Sequence, residues 1–131
     1  MSIVWIEPHL NHRLLARRHV VVMITAATDE FCEIGFLGTM KDELIAKYGE
    51  KPFCRVGYAR KENCLALRFS RIKMPDYRTC TRKSGNKIRL RFNFSKQFGI
   101  NQKDIIGGYR EMRWDKNLNM YIIPLEDRTF A

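Results

Sequence analysis

The sequence predicts an α+β fold, a mostly antiparallel sheet with short helices, built as two β-α-β-β halves that share one core. Three observations predict it. Lys87, Arg89, Arg91 and Asn93 alternate strictly with Ile88, Leu90, Phe92 and Phe94, and a period of two puts the first set on one face of a strand and the second on the buried face. Similar short apolar runs recur, bounded by turn residues. The order strand, capped helix, glycine, hairpin occurs twice, over residues 32–70 and again over 86–126. At 131 residues with 45% apolar side chains, a single domain is expected, preceded by an extension over residues 1–18.

Taken in order, residues 3–6 contain Trp5 and end at Pro8, as an edge strand does because proline cannot donate to a ladder. Residues 10–18 place Leu10, Leu14 and Leu15 on one side of a short helix. A β-branched run over 19–25 reads as a strand buried on both faces. It turns through 26–30 into a partner strand over 31–37. Thr39 is the expected N-cap of a helix over 40–48, with Asp42 and Glu43 at the positive end of its dipole. Gly49 stops it. Residues 53–58 and 64–69 form a hairpin, and turn-forming Ser84, Gly85 and Asn86 make a second, basic one with the strand that follows. Asn93 caps a short helix over 94–98 that Gly99 closes, and a last hairpin joins 109–114 to 120–125. The tail from Glu126 is expected to fray.

In the repeat, Ile34 and Phe36 align with Ile88 and Leu90 at an offset of 54, whereas Arg55, Leu65 and Leu67 align with Arg110, Met120 and Ile122 at 55. Each half is too small to bury its own apolar face, so the two must share a core.

A strand, a short helix ending in an aromatic residue and glycine, and a hairpin closing on an alternating strand resemble the AbrB-type swapped-hairpin domain of bacterial transition-state regulators and antitoxins. Lys87, Ile88, Arg89 and Leu90 carry the resemblance, with Phe98, Gly99, Ile100 and the hairpin over 114–125. Residues 35–37, Tyr48, Gly49 and 58–69 form the first copy. The resemblance implies DNA binding and, for two copies in one chain, an intramolecular pseudo-dimer.

The charge is concentrated. Of a formal +10, the stretch 68–96 carries ten basic residues against one acid, Asp76, and a field of that density attracts polyanions. The nucleic-acid-binding candidates are Arg71, Lys73, Arg78, Arg82, Lys83, Lys87, Arg89, Arg91 and Lys96. On a two-stranded ribbon in a major groove, Arg89 and Arg91 suit guanine edges while Arg82 and Lys83 hold phosphates. The expected partner is nucleic acid, duplex DNA before RNA, bound by a small regulator of bacterial or phage origin. The alternative is an adaptor or inhibitor docking its basic face on an acidic protein surface.

Other chemistry is not expected. No apolar run reaches membrane-spanning length and the N-terminus lacks a secretory pattern, so a cytoplasmic protein is anticipated. Cys32, Cys54, Cys64 and Cys80 are spaced 22, 10 and 16 apart, which fits buried free thiols and no metal pattern. His9 and His12 stand three apart but find no third ligand in register. Turn and cap roles account for Asp29, Glu30, Asp42 and Glu43, leaving Glu33. With no catalytic triad and no phosphate loop, neither an enzymatic reaction nor a cofactor is expected. Among the aromatics Trp5, Tyr77, Tyr109, Trp114 and Tyr121, only Tyr77 lies within the basic stretch.

Overall fold

The structure, a computed structural model, describes residues 21–83, 87–99, 101–107 and 109–125. The expected strand over 3–6, the helix over 10–18, the three histidines and the tail lie outside those residues. Among the described residues, ten strands and two helices follow in the order β1 (Val21–Ala26), β2 (Cys32–Phe36), α1 (Gly38–Tyr48), β3 (Phe53–Ala59), β4 (Cys64–Ser70), β5 (Arg78–Thr79), β6 (Thr81–Lys83), β7 (Lys87–Phe92), α2 (Phe94–Phe98), β8 (Tyr109–Glu111), β9 (Arg113–Asp115) and β10 (Met120–Pro124). A 3-10 turn over Gln102–Asp104 follows α2. The fold is α+β and its sheets are antiparallel, with short helices. Among the described residues no helix is long and apolar enough to cross a membrane.

The strands form two antiparallel sheets, in strand order β6-β7-β2-β1-β8 and β5-β3-β4-β10-β9. Only Cys80 separates β5 from β6, and only Met112 separates β8 from β9. Each of these extended segments therefore leaves the margin of one sheet and enters the margin of the other. The strand expected over 109–114 is thus divided between sheets. With both margins joined in this way, eight extended segments form a barrel whose joined margins are paired over only part of their length. One core fills it: Ile24, Ile34, Phe36, Leu65, Leu67, Ile88, Leu90 and Phe92 are fully buried. The alternating run keeps its predicted inward face, since Ile88, Leu90, Phe92 and Phe94 all lie in that core.

Every ladder is carried onto another, or for β2–β7 and β4–β10 onto itself, by moving first-half residues forward, and second-half residues back, by 56. Thr25 opposite Glu33 becomes Thr81 opposite Arg89. Cys54 opposite Arg78 becomes Arg110 opposite Val22, and Ala59 opposite Cys64 becomes Asp115 opposite Met120. The helix starts, Gly38 and Phe94, differ by the same amount. So do Asn63 (φ 50°) and Asn119 (φ 55°), which hold the left-handed position of equivalent hairpin turns. The structural register is therefore 56 throughout, where the sequence alignment used 54 and 55. It also takes in β1 and the β5–β6 segment, making each half a hairpin, a helix and a hairpin. The longer α1 is balanced by the 3-10 turn after α2, so no net insertion separates the halves.

Local chemistry explains the helix ends. Asn93 caps α2 as expected, its Oδ1 accepting from the Lys96 amide at 2.8 Å, and Gly99 closes the helix with φ 69°. At α1 the expectation fails. The ladder starts from the Leu37 carbonyl, which accepts from the amides of Met40 and Lys41, so Leu37 is the N-cap and Thr39 lies inside the first turn. Asp42 and Glu43 also miss the first turn. Asp42 pairs with Lys41 at 3.3 Å, and Glu43 with Lys47 at 3.5 Å.

The halves meet where β2 pairs with β7, Ile34 directly opposite Leu90. Replacing either residue by alanine is expected to cost about 2–5 kcal/mol while unfolding stays a single transition. Urea denaturation followed by both circular dichroism and tryptophan fluorescence checks this, and non-coincident transitions would show that the halves do not share their stability.

Candidate anion-binding surface

The basic hairpin exists, Lys83 facing Lys87 and Thr81 facing Arg89 across β6 and β7. Its two central arginines are engaged within the fold. Glu33, 4% exposed on β2, has Arg89 Nη1 3.8 Å from Oε1 and Arg91 Nε 4.0 Å from Oε2. Arg89 Nε also donates to Thr81 Oγ1 at 3.2 Å. A buried carboxylate needs such cations nearby, so the pair expected at guanine edges instead neutralises the one acid that turn and cap roles had left unexplained. Arg71 is likewise turned to the protein, donating to the Ala46 carbonyl at 3.2 Å. Lys96 is exposed on α2. Arg82, Lys83 and Lys87 belong to β6 and β7.

Arg78 and Lys73 come together elsewhere, with two arginines that sequence reasoning did not select. On β3 and β4 the inward positions go to Cys54, Leu65 and Leu67, so the alternation turns Arg55, Gly57, Ala66 and Arg68 to the outer face of the second sheet. Arg55 stands directly opposite Arg68, and Gly57 opposite Ala66. Like charges facing across a ladder are destabilising, and no carboxylate among the described residues lies within ion-pair distance of either arginine. The small pair beside them leaves a depression of about 240 Å³, bounded also by Val56 and Met120.

A second depression, of about 470 Å³, adjoins the first along Arg55 and Val56 and is walled by Lys73, Tyr77, Arg78 and Gln97. It follows from how β3 is paired. β4 runs beside all seven residues of β3, but β5 pairs only with Phe53 and Cys54. From Arg55 onward that margin of β3 carries no strand among the described residues. The turn facing it holds Asp76 at φ 66°, and Lys73 Nζ both donates to the Tyr77 carbonyl and lies 5.9 Å from the centre of the Phe53 ring. Asp76 is the single acid of the groove. The local signal for Arg55 and Arg68 was the hairpin itself, since fixing its four-residue turn puts them opposite each other.

The remaining candidate groups have structural settings. All four cysteines are free and buried. Burial pushes the Cys32 thiol up to about 11. Cys54 is raised by burial and by its neighbour Cys80. Neutral thiols of this kind are poor nucleophiles and poor ligands. Tyr121 donates to Glu43 Oε2 at 3.0 Å, and burial with that carboxylate raises its phenol. Arg110 is fully buried, its guanidinium donating to the carbonyls of Gly107 and Leu125, which ties β10 to the turn before β8. Among the described residues no three His, Cys, Asp or Glu side chains gather as a metal site would require. Compared with protein-family models, curated proteins and solved structures, the chain matches none.

Two outcomes are expected. Replacing Arg89 and Arg91 together by alanine strips cations from a buried carboxylate and lowers stability by about 1–3 kcal/mol, part of which Glu33→Gln recovers in the same background; an unchanged denaturation midpoint would mean that the arginines are free for a ligand. Stability also falls with alkali. The Cys32 thiol is held above its ordinary 9.0 in the folded state, so the unfolded chain loses its proton first. The stabilisation is complete below about 9 and is lost as pH rises through about 11. Melting temperatures across that range should drop, and less steeply in Cys32→Ala.

Proposed function

We propose that the protein binds nucleic acid, as a small cytoplasmic regulator of the bacterial or phage kind, holding phosphates on the outer face of the second sheet and in the groove beside β3. One observation carries the reading. Arg55, Arg68, Lys73 and Arg78 surround two adjoining depressions in which the single acid is Asp76. Three exposed cations and the half-buried Arg78 around a concave surface form the electrostatic footprint of a polyanion site. The cations of β6 and β7 extend the positive charge along the chain beyond Arg78. Arg89 and Arg91 are left out of the contact, which favours phosphate holding over base reading. The reading assigns the protein no reaction and no cofactor. A relationship to the swapped-hairpin regulators belongs to the same proposal, supported by the way β2 and β4 of the first half pair with β7 and β10 of the second.

Binding of duplex DNA, single-stranded DNA and RNA is compared at about 50 and 200 mM salt. Four neutralised phosphates give a slope of log affinity against log salt of about −3 to −4. Arg55→Glu with Arg68→Glu should weaken binding at least ~10-fold and flatten the slope by about 2. Failure of every nucleic acid to bind at the lower salt would sink the proposal and leave an acidic protein as the partner to seek.

A further inference from the structure

The groove has features that phosphate alone does not use. Its floor on the sheet is the smallest cross-strand pair of the hairpin, Gly57 opposite Ala66, edged by the apolar Met120. Its other lobe is lined by the half-buried Tyr77, whose ring makes no ring contact with a described aromatic residue. Arg55 is common to both lobes. A duplex keeps its bases stacked inside and offers a convex backbone, so a small-floored hollow and a half-buried tyrosine would add nothing to its binding. An unpaired strand presents flat bases alternating with phosphates, and an aromatic face set among cations is the usual platform for one.

Resting on the nucleic-acid reading above, we infer that this two-lobed groove takes a single-stranded segment, with Arg55 between successive phosphates, one base against Tyr77 and its neighbour over the Gly57 and Ala66 floor. Arg68 and Arg78 then flank the strand on either side of Arg55, and Lys73 closes the lobe that holds Tyr77. Specificity for sequence is not built in, because stacking accepts any base and the cations meet only backbone.

The floor can be filled without disturbing the fold. A Cβ on Gly57 would meet only Ala66, its carbonyl oxygen at 3.8 Å and its Cβ at 4.0 Å, which is ordinary contact, and the backbone there is not in the left-handed region. Gly57→Val therefore occupies the hollow in a strand that suits valine. The test measures fluorescence anisotropy of labelled oligo(dT) and oligo(rU) of about 12 nucleotides, and of a duplex of matched length, with the wild type, Gly57→Val, Tyr77→Ala and Tyr77→Phe. Gly57→Val and Tyr77→Ala should each weaken single-strand binding about 10-fold and leave the duplex unchanged, with Tyr77→Phe close to wild type and melting temperatures confirming the fold. The ratio of oligo(dT) to oligo(rU) affinity distinguishes DNA from RNA as the source of the strand. If both variants bind single strands as well as the wild type while Arg55→Ala weakens all three ligands, the groove inference is overturned and the nucleic-acid reading stands. If the wild type binds none of the three, both fall.

Discussion

The pairing of β2 with β7 is the constraint on which the rest depends. Neither half has enough strands to enclose an apolar interior, and the ladder that sets Ile34 against Leu90 makes one sheet of both. The second sheet is joined in the same way, by β4 against β10. The segments passing through Cys80 and Met112 then have to bend from one sheet into the other, and both residues are buried where they do so. Eight of the aromatic residues fall into two groups. Phe36, Tyr48, Phe69 and Tyr121 stack beside α1, and Tyr58, Phe92, Phe94 and Phe98 beside α2. Helices this short have little stability of their own, and these contacts are what hold them.

Closure sorts the charge. Glu33 and Arg89 occupy equivalent positions of the two halves, 56 residues apart, and carry opposite charge, which lets them meet beside the ladder that joins β2 and β7. Most of the charge of the stretch 68–96 looked like one continuous surface when read along the chain. In space it is divided, one part answering a buried acid and another, Arg68, Lys73 and Arg78, standing with Arg55 from outside the stretch.

Much of the fold was legible because its signals are local. The alternation over 87–94, the Asn93 cap, the closing glycines and the hairpins all depend on residues within a turn or a strand of each other. What was not legible depends on distant partners. At a shift of 56 the only identities over the described residues are Thr25 with Thr81, Phe36 with Phe92, Lys47 with Lys103 and Asn63 with Asn119, too few to fix a register that the ladders then fix. Thr39 carries the right side chain for a cap, but Gly38, at φ 49°, already lets the chain enter the helix from Leu37. Nothing in the run 109–114 marks Met112 as the point where a strand changes sheets. For the proposed site, the concentration of charge along the chain says nothing about which cations the fold brings together: Arg89 and Arg91 lie beside the buried Glu33, and Arg55 faces Arg68 across a hairpin.

The two halves also supply an internal comparison, because one backbone pattern is filled by two sequences. The positions equivalent to Arg55, Arg68 and Arg78 are Glu111, Pro124 and Val22, and those equivalent to Gly57 and Ala66 are Arg113 and Ile122. The barrel therefore closes equally well with an acid, a proline or an apolar residue where the groove has arginine, and with large side chains where it has small ones. Neither the cations nor the hollow is a requirement of the fold. A facing Arg55 and Arg68 carries an electrostatic cost that packing does not explain, and it occurs in one half only. Features that a fold tolerates but does not need, gathered on one of two equivalent surfaces, support the proposal of a ligand that meets that surface alone.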